Sequence, residues 1–228
     1  MCGRYTQTRE GKTLRARFAC GESGVEILPR YNQAPGQPAA VVLPGARGAC
    51  LTLMRWGVAV AWRGQPMINA RAETAVSRPA FRAAMARRRC LVPADGFYEW
   101  QRDGDGAKTP WRFVLRSGDL FAFAGVWSPA GEGERAGERG FAILTMAANA
   151  CVAPVHDRMP VLLSPAAEAA WMDASLGAAQ ALDAALRAHA GDALRAYTVS
   201  PRVNKVAQDD PSLVEPAGPP PRQGRLFE

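Results

Sequence analysis

The hydrophobic positions of this chain fall mostly in short runs closed off by glycine or proline, which is the spacing of β-strands rather than helices. Ala39–Leu43, Cys50–Trp56, Cys90–Val92, Trp111–Leu115, Leu120–Trp127 and Phe141–Met146 are such runs, and Pro160–Leu163 and Ala196–Val199 add two shorter ones. Helical periodicity is rarer. It predicts one helix over Thr8–Phe18, another over Arg78–Ala86, and two within the Ala-rich stretch Pro165–Ala190, parted near Gly177. Strands crowd the middle and helices the edges, so the predicted class is α+β. Asp103–Lys108 reads as a turn between strands and Ala130–Gly140 as a Gly/Glu-rich loop. No repeat or linker divides the chain. A single domain is expected to about residue 215, followed by a Pro/Gly-rich tail over 216–228 that should fray.

Composition narrows the class further. With 228 residues, 48% hydrophobic and 21% charged, the chain can bury a sizeable core and is not disordered throughout. It holds no apolar run long enough for a membrane span, and its first residues, MCGRYTQTRE, lack the apolar stretch of a signal peptide. A cytoplasmic protein is therefore expected. The five cysteines never form CxxC, and only two histidines, His156 and His189, are present. Neither a disulfide framework nor a metal site is expected, and no cofactor. The net charge of +7 favours a polyanionic partner, because neutralising phosphates releases counterions.

Four residues carry candidate chemistry. Methionine before a small residue such as Cys2 is commonly trimmed, which would leave an amine beside the thiol. Such a 1,2-aminothiol reacts with an aldehyde to an imine that the thiol closes into a thiazolidine, which no internal cysteine can do. Glu99 stands among aromatics in Asp95-Gly96-Phe97-Tyr98-Glu99-Trp100, where burial would raise its pKa and suit it to proton transfer. Asp95 is the rival acid, although Asp-Gly also reads as a turn. His156, between an apolar strand and Pro160, titrates near neutrality and suits acid–base work on a sugar ring oxygen. Asn69, Arg71 and Glu73 would share one face if their stretch is extended, an amide and a guanidinium fit to grip a sugar-phosphate. Each also has a plainer reading: an incidental cysteine, an exposed strand glutamate, a loop histidine with a structural hydrogen bond, and the wet side of an edge strand. His189 reads as a helix-end residue.

For nucleic acid, Arg4, Arg71, Arg78 and Arg158 are candidate phosphate contacts. Trp56 and Trp62 flank a Gly-containing turn and could offer unpaired bases a stacking surface. Arg87-Arg88-Arg89 reads as a solvated helix end.

The order of the motifs carries more than any one of them. Met1-Cys2-Gly3-Arg4-Tyr5, Arg30-Tyr31-Asn32-Gln33-Ala34-Pro35-Gly36, Arg55-Trp56-Gly57, Asn69-Ala70-Arg71-Ala72-Glu73-Thr74, Asp95 through Trp100, His156-Asp157-Arg158-Met159-Pro160 and Val199-Ser200-Pro201-Arg202-Val203-Asn204 follow one another along the chain. This succession resembles the SOS-response-associated peptidase (SRAP) family of abasic-site processing proteins. The resemblance implies a single α+β domain with a strand-rich, barrel-like centre. It implies that Cys2, freed of Met1, forms a thiazolidine with the opened deoxyribose of an abasic site in single-stranded DNA. Asn69, Glu99 and His156 fall on the family's catalytic positions: Asn69 to orient the cysteine or sugar, Glu99 to move protons at the amine, His156 to assist ring opening. Arg4, Arg71, Arg78 and Arg158 match phosphate-binding positions, and Pro35 and Trp62 match positions lining a bent strand. A monomer, nucleoid-associated when on DNA, is expected; Met1 would be removed either autoproteolytically or by a host aminopeptidase, and the imine leaves a strand-cleaving lyase side reaction open.

Two other functions use overlapping residues. An N-terminal-nucleophile peptidase would employ the Cys2 thiol with the free amine as base. A single-strand binding module would need only the arginines and tryptophans, with no covalent step.

Overall fold

The short apolar runs do become strands. The computed structural model describes residues 2–22, 24–45, 48–60, 64–102, 106–129, 139–187 and 193–218. In chain order the elements are β1 (Tyr5–Gln7), α1 (Gly11–Arg17), β2 (Arg30–Gln33), β3 (Pro38–Gly45), β4 (Gly48–Trp56), β5 (Asn69–Arg71), α2 (Ala72–Ala75), α3 (Pro79–Arg87) and β6 (Arg89–Ala94). There follow β7 (Gly96–Arg102), β8 (Lys108–Leu115), β9 (Phe121–Ser128), β10 (Gly140–Ala147), β11 (Arg158–Pro160), β12 (Leu162–Leu163), α4 (Pro165–Met172), α5 (Ala178–Arg187) and β13 (Leu194–Thr198). Two 3-10 turns, Pro201–Asn204 and Pro211–Val214, close the described fold.

One sheet runs β13-β8-β7-β1-β2; the other contains β10-β4-β3-β6-β9, and pairing of β9 back to β10 closes it into a ring. The barrel-like α+β expectation is met. The interior of the ring is aromatic: Tyr5, Trp56, Phe97, Phe113, Phe123 and Phe141 are all essentially inaccessible. Tyr5 meets Trp56 edge-on at 5.2 Å between centroids, and Trp56 stacks on Phe141 at 6.3 Å. Such pairs add about 0.5–1.5 kcal/mol each beyond the area they bury. A second apolar layer, including Leu14, Phe81, Met85, Trp171 and Leu182, fills the space between the ring and the helices.

The two sheets meet at one corner. β6 ends at Ala94 and β7 begins at Gly96, so the chain changes sheets across Asp95. A side chain at position 96 would sit 2.9 Å from Arg112 Nε and 3.0 Å from the Phe113 carbonyl, so only glycine fits. The buried Asp95 carboxylate accepts the Thr8 N–H at 2.8 Å and Arg112 Nη2 at 3.1 Å. Asp95, the rival acid of the sequence reading, is thus bound into the corner.

Several sequence expectations change. Strands β1 and β2, short and dense in polar residues, are not signalled by the apolar runs; β5 meets the extended reading of Asn69–Arg71, and β7 is the strand implied before the 103–108 turn. Trp56 offers no stacking surface: it is a core residue whose Nε1 donates to the Ile68 carbonyl at 2.9 Å. Trp62 lies outside the described residues, as does His189. Glu73 does not share an extended face with Asn69 and Arg71, because the strand stops at Arg71 and Glu73 stands on α2. Arg89 is no solvated helix end: it is buried, donating to the carbonyls of Trp171 at 2.7 Å, Met85 at 3.0 Å and Leu176 at 3.1 Å. The helix expected from Thr8 starts at Gly11, whereas the break near Gly177 is where α4 and α5 part. The turn over 103–108 joins paired β7 and β8, and the 130–140 loop joins paired β9 and β10; residues 103–105 and 130–138 lie outside the described set. Beyond residue 215, Ala217 still donates to the Thr198 carbonyl at 2.9 Å, so the sheet holds the chain a little past that boundary; residues 219–228 lie outside the described set.

Candidate active site

The antiparallel register of β1 on β7 decides what lies near Cys2. Tyr5 pairs with Phe97, and the Tyr98 N–H donates to the Arg4 carbonyl at 3.0 Å. The chain running back from Arg4 therefore passes alongside Glu99. Cys2 is fully buried, its thiol directed at the Arg4 carbonyl 3.8 Å away. Burial, reinforced by the nearby Glu99 charge, pushes the thiol pKa well up.

Asn69 reaches the same point from β5. That strand lies parallel to β10, with Asn69 opposite Ile143 and Arg71 opposite Thr145. Asn69 Nδ2 donates to the Cys2 carbonyl at 2.8 Å, fixing the residue that precedes Gly3. Its Oδ1 is buried and finds no hydrogen-bond partner among the described residues.

Glu99 projects from the middle of β7 and is 2% exposed. Burial drives its pKa up to about 7, against the pull of the amino terminus. Its Oε2 stands 4.0 Å from His156 Nε2, while Oε1 is buried without a partner among the described residues. His156 leads out of a turn in which its N–H donates to the Val152 carbonyl at 3.0 Å. The ring's other nitrogen, Nδ1, accepts the Arg158 N–H at 3.0 Å and lies 3.0 Å from the exposed Asp157 carboxylate. Partial burial lowers the His156 pKa from its ordinary value, helped by the positive amino terminus and opposed by Asp157. A carboxyl made hard to ionise thus faces an imidazole made hard to protonate. The pair can hold and pass a proton near neutral pH.

The four residues singled out in the sequence do converge: Asn69 bonds Cys2, the Glu99 charge acts on Cys2, and His156 faces Glu99. A cleft of about 480 Å³ opens beside them, lined by Glu99, Trp100, Arg102, Lys108, His156 and Asn204. Four of those were missed by sequence reasoning. Arg102 and Lys108 face each other across the β7–β8 register, and Trp100 Nε1 donates to Asn204 Oδ1 at 2.6 Å. Pairing of the two strands around the 103–108 turn was the signal that could have joined them. A more apolar cavity of about 540 Å³ between α1, the β8–β9 turn and the start of α4 contains none of these groups. No cluster able to hold a metal occurs among the described residues, and no described helix is long and apolar enough to cross a membrane.

The candidate phosphate contacts divide. Arg71 and Arg78 are exposed. Pro35 is exposed on a turn in which Gly36 takes φ +82° and the Gln37 N–H donates to the Ala34 carbonyl, as Pro-Gly favours. Arg4, by contrast, is half-buried and donates to Asn32 Oδ1 at 3.0 Å and the Val203 carbonyl at 2.8 Å. Arg158 is engaged by Glu73 through two hydrogen bonds of 2.6 and 2.9 Å.

Comparison with known proteins places this geometry. A family model described as SOS response associated peptidase (SRAP) matches residues 1–206. The abasic site processing protein YoqW of Bacillus subtilis (strain 168) is 35% identical over 222 residues, covering 94% of this chain and 99% of the relative. The abasic site processing protein YedK of Escherichia coli (strain K12) is 31% identical over 224 residues, covering 95% and 100%. Among solved structures, a Bacteroides thetaiotaomicron protein superposes with a TM-score of 0.82 at 21% identity, covering 95% of this chain and all of that one, which speaks for the fold alone. With its ordered motifs, ring of strands and convergent Cys2, Asn69, Glu99 and His156, the chain belongs to the SRAP family.

Proposed function

We propose that this protein captures abasic sites in single-stranded DNA by covalent bonding through Cys2 after Met1 is removed. The observation that carries the reading is the buried Glu99 carboxyl facing the partly exposed His156 imidazole at 4.0 Å, beside a cysteine that stands second in the chain. Relatives named abasic site processing proteins over nearly the whole length support the substrate.

The steps follow from the groups present. An abasic deoxyribose exists mainly as a closed hemiacetal; His156, mainly neutral, is suited to take the C1 hydroxyl proton and deliver a proton to the ring oxygen as the aldehyde is released. The Cys2 amine adds to that aldehyde carbon, and water leaves to give an imine. Glu99, as carboxylate, takes the proton lost by the amine and returns it to the departing hydroxyl. The thiol, kept neutral by burial, then adds its sulfur to the imine carbon while its proton passes to the imine nitrogen. One water is lost overall and a five-membered ring closes. Asn69 holds the Cys2 carbonyl so that amine and thiol stay on one side of the sugar. The unpartnered Oδ1 of Asn69 and Oε1 of Glu99 are acceptors suited to the sugar hydroxyls and the amine. Arg71 and Arg78, exposed, supply phosphate contacts, with Pro35 and Trp62 along the bent strand. β-Elimination from the imine is the lyase branch, open whenever ring closure lags. Cytoplasmic residence with association to the nucleoid, monomeric action and self-removal of Met1 belong to the same reading.

A Cys2→Ser variant separates capture from plain binding. It is expected to bind single-stranded abasic DNA within about twofold of wild type and to form no adduct that survives denaturation. An adduct formed equally by Cys2→Ser would overturn the role of the thiol.

A further inference from the structure

Asn69 and His156 reach the site from opposite flanks of one strand. β10 carries β5 in parallel on one side, with Thr145 opposite Arg71, and β11 antiparallel on the other, with Thr145 opposite Pro160 and Ala147 opposite Arg158. β5 delivers Asn69 at its first residue, and His156 stands two residues before β11. Neither flank has many bonds to hold it. β5 and β11 are three residues each, and the helix following β5 is four.

An ion pair spans the strand between them. Arg158, the first residue of β11, donates from Nη1 to Glu73 Oε1 at 2.6 Å and from Nη2 to Glu73 Oε2 at 2.9 Å. The same Nη2 donates to the carbonyl of buried Thr145, beneath the pair, at 2.7 Å. Glu73 is the second residue of α2, two places after β5 ends. Two-point carboxylate–guanidinium pairing fixes direction as well as distance. Arg158's own backbone N–H holds His156 Nδ1 at 3.0 Å. A shift of Arg158 is therefore passed directly to the imidazole and to its 4.0 Å approach to Glu99.

We infer that Glu73 is a positioning residue, clamping Arg158 so that the Asn69 and His156 flanks of β10 keep the spacing the Cys2 chemistry needs. Glu73 touches no reacting atom. The inference rests on the catalytic roles proposed above for Asn69 and His156. It assigns the Arg158 side chain to this clamp in the DNA-free protein, where the sequence suggested only a phosphate contact. Electrostatics alone makes the opposite forecast: Glu73 is an acid on a DNA-binding face, and neutralising it should help DNA bind and react.

The test uses Glu73→Gln and the exchanged pair Glu73→Arg with Arg158→Glu in the full chain, with three readouts. Single-turnover cross-linking to an abasic oligonucleotide should fall about tenfold or more in Glu73→Gln, since small misplacements carry large rate penalties. Affinity for the same oligonucleotide should hold within about twofold. The exchanged pair should recover part of the lost rate. The third readout needs no activity, because His156 and His189 are the chain's two histidines and their ring protons can be followed by NMR. Burial is the main cause lowering the His156 pKa, with Glu99, Asp157, Arg102 and the amino terminus as its charged neighbours. Loosening the clamp should therefore raise the His156 pKa in Glu73→Gln, whereas loss of a distant negative charge alone would lower it. A lowered or unchanged His156 pKa, or tighter binding with undiminished cross-linking, overturns the inference. If wild type forms no cross-link, the capture reading fails by itself and the direction of the His156 shift still decides the clamp.

Discussion

Glu99 Oε2 and His156 Nε2 face each other at 4.0 Å, a carboxyl and an imidazole brought together from β7 and from the turn before β11. Desolvation moves their pKa values in opposite directions, Glu99 up to about 7 and His156 downward. Both groups thus stand close to working pH, and at this separation a charge on either bears on the other.

The first consequence concerns rate against pH. Glu99 must be a carboxylate to accept the amine proton, so single-turnover cross-linking should rise through about pH 7. Glu99→Gln should slow the reaction about 100-fold or more and erase that inflection, leaving the amine's own titration. A rate that falls through pH 7 in wild type would make Glu99 the acid of the slow step instead.

Stability should report the same carboxyl with the opposite benefit. An unfolded glutamate ionises near 4.5 and the folded Glu99 near 7, so the native state holds an extra proton between those values. The associated stability is present below the unfolded pKa and is lost as pH rises through 7. Glu99→Gln should accordingly unfold at higher denaturant than wild type at pH 8, by up to about 3 kcal/mol, and show little difference at pH 4.5. Equal midpoints at pH 8 would mean that Glu99 is not held in a costly environment.

Asp95 should behave as a corner post with no part in the chemistry. It is buried against Arg112 at 3.1 Å and accepts the Thr8 N–H at 2.8 Å. Asp95→Asn leaves the guanidinium without its charge partner, a change that typically costs about 3–5 kcal/mol. Urea unfolding should show that loss, and the folded fraction should cross-link with an unaltered pH profile. A profile that moves would return Asp95 to the candidate acids.

The exposed arginines should account for affinity. Arg71→Ala and Arg78→Ala are each expected to weaken single-stranded DNA binding and to lower the slope of log affinity against log salt by about 0.7. Fluorescence anisotropy across a salt series measures both quantities. Arg4→Ala should instead cost folding stability, because Arg4 is tied to Asn32 and Val203. An unchanged slope for both Arg71 and Arg78 would place the phosphates elsewhere.

What the sequence made legible follows from which forces are local. The run Phe141–Met146 is buried along most of its length, and Cys50–Trp56 buries Leu51, Met54 and Trp56, so their apolar residues betrayed them. β1 and β2 were hidden because they are short and largely polar, and their strand character comes from pairing with each other and of β1 with β7. The candidate site was readable where chemistry is written in residue type, at Cys2, Glu99 and His156. Arg158 and Arg4 read as cations for phosphate, and the fold also ties them to partners 85 and 28 positions away in sequence, which sequence reasoning did not show. Trp56 shows the same limit: a tryptophan beside a glycine turn looks like a stacking platform until the ring of strands closes around it.

The most direct measurement incubates the purified protein with single-stranded DNA bearing one abasic site, then combines a denaturing gel with intact mass. The account predicts a retarded band absent from Cys2→Ala. Its mass should equal protein without Met1 plus DNA, less one water. A protein confirmed to begin at Cys2 that gives no such band would contradict covalent capture.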